Sequence, residues 1–253
     1  MNDHETPMPS QLEQEHLLYD DEAGNTVGID EVQLLDPVPK ERIPRLQQLL
    51  SHEDLHVVYQ ATLVLTAWGD GRALDKLEEL VDRRVHQEME FSPHRIYGYH
   101  NVYDVLAEAV SRFRLNSDER ADQRQRVFEK LLGLYGPLNF EGKLKYALVD
   151  SDFRQLVPAI DRAVTRALAC GKPYLASQLL PPLARFDSAR GATRFPEFAK
   201  FTGINPSPLL NVAEALRYVP PDISRPQLQQ LQQHRDKLVA SEATKSLDAL
   251  PGS

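Results

Sequence analysis

Cysteine occurs once, at Cys170, so no internal disulfide can form and the chain suits a reducing compartment. With no histidine beside it, Cys170 reads as a small buried filler at a helix end. Glycines are fewer than prolines, twelve against eighteen. Many of the prolines stand where a helix would begin. No alternating apolar and polar run is bounded by Asn-Gly or Asp-Gly, which removes the usual hairpin signal. Apolar runs are too short and interrupted to cross a bilayer. Met1 to Ser10 has neither a basic start nor an apolar stretch, so export through a signal peptide is not expected. There is no Gly-rich phosphate loop and no G-x-S-x-G elbow. Basic residues are almost missing from the first 41 positions, where eleven acids face Lys40 alone. That segment carries −10 and the remaining 212 residues +2, within a total of −8. Direct nucleic-acid binding needs a basic surface, and this distribution argues against it.

What is present is helical periodicity. Arg42 to Leu50 forms a short helix, and Ser51-His52-Glu53-Asp54 a polar break. In the next helix Val57, Ala61, Leu65 and Trp68 recur at i, i+4, i+8 and i+11, a single buried stripe. Gly69-Asp70-Gly71 ends it. A third helix from Arg72 turns Ala73, Leu77 and Leu80 inward, with Asp75, Lys76, Glu78 and Glu79 toward water. Further stripes run through Val102 to Phe113, Val127 to Tyr135, Phe153 to Leu168 and Leu209 to Val219. Pro158 marks either a kink or a first turn, and Pro181-Pro182 must bend or end the helix they meet. A last helix from about Ser224 keeps Leu228, Leu231 and Leu238 inward. The expectation is an all-α chain of about nine to twelve antiparallel helices.

The stretch from Arg42 to Val81 resembles the short HEAT-like, PBS-lyase-type helical repeat. It supplies Asp54, Val57, Ala61, Leu65, Gly69, Asp70, Ala73 and Leu77 in that pattern's order. Val58 stands where the repeat usually has an arginine, so the customary Asp–Arg ladder is missing. The resemblance covers about forty residues. It implies an irregular α-solenoid of HEAT-like hairpins, since such a unit must stack on copies of itself to bury its apolar face. The organisation expected is an acidic N-terminal arm over 1–40, at least partly docked through apolar residues among Leu12, Leu17, Leu18, Tyr19, Val27, Ile29, Val32, Leu34 and Leu35; a solenoid over 41–240; and a flexible tail over 241–253.

Candidate sites are few. His52-Glu53-Asp54-Leu55-His56 spells H-E-x-x-H, which in zinc peptidases places two histidines one turn apart on a metal. Ser51 and Asp54 instead resemble a capping box, which puts His52 and Glu53 in an exposed first turn, and no metal or other cofactor is expected. Arg112, Arg114, Arg120, Arg124 and Arg126 are interleaved with acids and read as a solvated face. Phe91, His94, Tyr97, Tyr99, His100 and Tyr103 gather around an irregular loop, as core plugs or as anchors for a partner. Asp20, Asp21, Glu22, Asp30 and Glu31 offer a negative surface for a basic partner.

Small acidic helical-repeat proteins of this kind are similar to bacterial immunity proteins. That likeness implies a monomeric, cytoplasmic, non-enzymatic protein that masks a basic, nuclease-type toxin, with neither nucleic acid nor membrane as a direct partner. An adaptor or assembly factor is the alternative reading. A metal-dependent or lyase-type enzyme has the least support.

Overall fold

A computed structural model of the chain describes residues 7–88, 102–201 and 203–251, and among these every regular element is a helix. Beta pairing among them is limited to two isolated bridges, Asp20 with Thr26 and Tyr135 with Leu138. The all-α expectation holds. The described residues divide into two compact units, 7–88 with 102–127, and 128–201 with 203–251.

The first unit contains α1 (Gln11–Tyr19), α2 (Ile29–Val32), α3 (Ile43–Leu49), α4 (Leu55–Ala67), α5 (Gly71–Asp82), α6 (Val102–Asn116) and the start of α7 (Ala121–Leu134). Its centre is α4, which packs against α1, α2, α3, α5 and α6. The sequence predicts one buried stripe on this helix. Instead all residues from Val58 to Ala67 are buried, because α4 has neighbours on several sides and a helix in that position keeps no wet face. The Thr62 hydroxyl donates to Val58 O at 2.7 Å, whereas the buried Thr66 hydroxyl has no partner among the described residues. The helix begins at Asp54, whose carboxylate accepts from His56 N at 2.8 Å. Asp70 does the same for α5, accepting from the amides of Arg72 and Ala73. Between α4 and α5, Gly69 turns the chain at φ +84°, a left-handed conformation open to glycine.

Residues 7–40 are not an appendage. Leu17, Leu18 and Val32 are buried in one cluster with Leu46, Leu49, Leu65 and Trp68. The Trp68 indole donates to Val32 O at 3.1 Å. Glu13 and Arg45 form a two-pronged pair at 2.6 Å on each prong, and the Arg42 guanidinium donates to the carbonyl oxygens of Asp20 and Asp21 at 2.7 Å each. The expected boundary at residue 40 therefore crosses a continuous core.

The second unit holds the end of α7 and then α8 (Lys143–Val149), α9 (Val157–Ala169), α10 (Pro173–Ser177), α11 (Leu180–Phe186), α12 (Ser188–Ala199), α13 (Leu209–Ala215), α14 (Pro221–Leu231) and α15 (Lys237–Asp248). Prolines open four of them: Pro158 in α9, Pro173 in α10, Pro181 and Pro182 in α11, Pro221 in α14. In a first turn the missing N–H is no loss. The central element is α11, packed against α8, α9, α12 and α13.

Three expectations are corrected here. The last stripe is two helices, α14 and α15, and Leu238 is 61% exposed rather than inward. Residues 241–248 of the expected tail belong to α15, whose Val239, Ala243 and Ser246 are buried. Small side chains at these spacings pack closely without looking like an apolar stripe. Cys170, expected as buried filler, is exposed, because it stands at the C-terminal end of α9, where the chain leaves the core for a turn.

One close approach is a test of the second unit. A Cβ at Gly191 on α12 would lie 2.7 Å from both Cα and Cβ of Ala184 on α11. Gly191→Ala is therefore expected to force the helices apart and destabilise the fold by roughly 1–3 kcal/mol, measured by urea denaturation.

Candidate functional site

The five acids singled out by sequence fall into two kinds. Asp20 and Asp21 build a turn. The Asp21 carboxylate accepts from the amides of Ala23 and Asn25 at 2.9 and 2.8 Å and from the Asn25 side chain. Asp20 contacts His16 Nδ1 at 2.9 Å and accepts the Thr26 hydroxyl at 2.8 Å. These bonds, from His16 and Thr26 for Asp20 and from Asn25 for Asp21, hold both carboxyls below their ordinary values. A lowered folded pKa means that the contribution to stability is present above the usual carboxylate range and is lost as pH falls through the lowered value. Glu22, Asp30 and Glu31, by contrast, are exposed, the last two in the first turn of α2. Beside them in sequence, Met8, Leu12, Val27 and Leu34 are exposed apolar side chains, Leu12 by 78%. The surface of residues 8–34 thus combines uncovered apolar groups with negative charge.

The aromatic set is only partly placed. Phe91, His94, Tyr97, Tyr99 and His100 lie outside the described residues. Tyr103 is buried on α6, its hydroxyl 2.5 Å from His86 Nδ1 and its ring edge-on to that imidazole. Burial pushes its phenol up to about 12. As a candidate anchor Tyr103 is thereby corrected to a core plug: it sits on the inward face of an amphipathic helix, and its hydroxyl is satisfied inside. Tyr103→Phe is expected to cost about 1 kcal/mol of stability through the lost hydrogen bond, visible as a lower thermal midpoint.

His52 and Glu53 precede α4 rather than occupying its first turn, because Asp54 and not Ser51 is the cap. His52 Nδ1 accepts from Asp54 N at 3.0 Å, and its Nε2 is 3.3 Å from the Gln14 amide. Both ring nitrogens are thus engaged within the protein. Among the described residues no three His, Cys, Asp or Glu side chains are grouped as metal ligands. Of the arginine set, Arg112 on α6 pairs with Glu108 at 2.7 Å and Arg120, between α6 and α7, with Asp75 at 2.6 Å. Arg124 is buried beside the Phe113 ring, 5.8 Å from its centroid, and burial lowers its pKa.

The second unit contains a site that sequence reasoning missed. A cleft of about 840 Å³ opens between the segment 139–141, the start of α10 and the segment 204–206. Asn139, Phe140, Glu141, Lys172, Gln178 and Ile204 are among its walls. Next to Gln178 in sequence, Ser177 begins a buried polar chain. Its hydroxyl accepts from Asn211 Nδ2 at 2.9 Å; Lys145 Nζ donates to Asn211 Oδ1 at 3.4 Å and to Glu214 Oε2 at 2.8 Å. Burial opposes the Lys145 charge, but Glu214 outweighs it and holds the ammonium above its usual pKa. Neither the cleft nor this chain has a local signature, since its members come from turns and helices far apart in sequence.

No protein-family model matches the chain, and no curated protein or solved structure does so either. No helix among the described residues is long and apolar enough to cross a membrane.

Proposed function

We propose that the chain is a protein-binding scaffold, an irregular α-solenoid of HEAT-like hairpins, which receives a basic protein on residues 8–41. The supporting observation is the exposure of residues 8–34: Leu12, Met8, Val27 and Leu34 are uncovered in the same segment as exposed Glu15, Glu22, Asp30 and Glu31. Exposed apolar side chains on an acidic segment supply what partner binding uses, the apolar part affinity and the charges steering of the encounter. In its sharpest form the partner is a nuclease-type toxin. A nucleic-acid-cleaving protein carries a positive substrate face, and an acidic surface imitates that substrate.

Co-expression with the product of the adjacent gene, followed by purification and assays of nuclease activity and growth, tests the reading. A stable complex that silences a nuclease is the expected result. A complex without any protective effect would leave an adaptor in place of an immunity protein. A partner that binds equally well after Leu12→Ala and Leu34→Ala would remove residues 8–34 from the interface.

A further inference from the structure

We infer that the cleft of the second unit is a binding site for a short zwitterionic peptide, distinct from the acidic surface proposed above. Its volume of about 840 Å³ lies within the range of small-ligand sites, roughly 300–1,000 Å³. Its charges are one of each sign, Glu141 and Lys172, and its remaining polar groups include the amides of Asn139 and Gln178 set among Phe140 and Ile204. Opposite charges select a ligand carrying both. Side-chain amides, each donor and acceptor, match the peptide groups between the ligand's ends.

The clearest sign of a prepared site is Gln178, only 5% exposed although it lines the cleft. The Tyr135 hydroxyl lies 2.8 Å from Leu175 O and 3.0 Å from Gln178 Oε1. Both oxygens can only accept, so the phenol is the donor, sharing its one proton between them. With Oε1 held by the phenol, the amide is fixed at the cleft wall, and its Nε2 is a donor. A carbonyl oxygen of the ligand's peptide groups matches that donor. Lys172 Nζ donates to Pro137 O at 3.1 Å, which holds the ammonium at the cleft wall with further N–H bonds to give. A ligand carboxylate accepts them.

Isothermal titration of the full chain with the unblocked tripeptides Ala-Leu-Ala, Ala-Phe-Ala and Gly-Gly-Gly tests the inference. At least one of the first two is expected to bind saturably, and to bind about tenfold more weakly when both ends are blocked by acetyl and amide groups. Tenfold corresponds to about 1.4 kcal/mol. Lys172→Gln, which keeps a donor for Pro137 O, is expected to weaken the free-carboxylate peptide about tenfold and its C-terminal amide less than twofold. Glu141→Gln should show the mirror pattern toward N-acetylation. Silence of all three peptides up to about 10 mM, equal affinity for blocked and free forms, or losses in the variants that ignore the blocking groups would each overturn the inference. Circular dichroism of both variants separates lost binding from lost fold.

Discussion

Replacing Lys145 by methionine is expected to destabilise the second unit by about 3 kcal/mol or more. Lys145 is 7% exposed, and its ammonium is matched by Glu214 at 2.8 Å. Removing the cation leaves a largely buried carboxylate without its partner and Asn211 without a donor. Breaking a buried pair on one side typically costs about 3–5 kcal/mol, because the stranded charge keeps its desolvation penalty. The double variant Lys145→Met, Glu214→Leu should regain most of the loss, since an apolar pair of similar volume needs no solvation. Urea denaturation of both proteins measures this. A single variant as stable as the original, or a double variant no better than the single, would show that the pair carries little of the unit's stability.

The second large effect concerns association. With a basic partner in hand, Glu22→Gln, Asp30→Asn and Glu31→Gln together are expected to slow association about tenfold at low salt, since steering by exposed charge raises on-rates by roughly 10–1,000-fold. Dissociation should change little. Raising salt should slow the original protein far more than the triple variant, because exposed charges are screened beyond roughly 8 Å at physiological strength. Asp20 and Asp21 are excluded from that variant for a structural reason: their carboxylates hold the turn at 20–26, and their removal would confound steering with unfolding. An identical salt dependence in the triple variant would remove these acids from the encounter.

The sequence made some of this legible and hid the rest for identifiable reasons. Helix α5 was readable because Ala73, Leu77 and Leu80 face the core while its charged residues face water. Helix α4 was recognised but misjudged, since a stripe looks the same whether the opposite face meets solvent or another helix. Helix α12 escaped because Gly191 and Pro196 look like breakers. In fact Gly191 serves the close crossing with Ala184, and the apolar face consists of Phe195 and Phe198. Helix α15 escaped because alanine and serine do its packing. For the candidate site, composition located the negative charge but not its use: counting carboxylates cannot separate Asp21, bonded to Asn25, from exposed Glu31. The cleft was invisible because Tyr135, Lys172 and Gln178 meet only through the packing of α7, α10 and the turns beside them.

The burial of α4 has a consequence for how this protein can change over time. Ten consecutive residues of one helix are closed to solvent, so nearly every substitution there disturbs packing that five other helices share. Inherited variation in the first unit is therefore expected to collect on α1, α2 and the turn between them, where Leu12, Glu22 and Glu31 touch little. A deep mutational scan scored for folding alone should find α4 the least permissive stretch of that unit. Under such constraints the recognition surface can be rewritten, and new partners acquired, while the framework beneath it stays fixed.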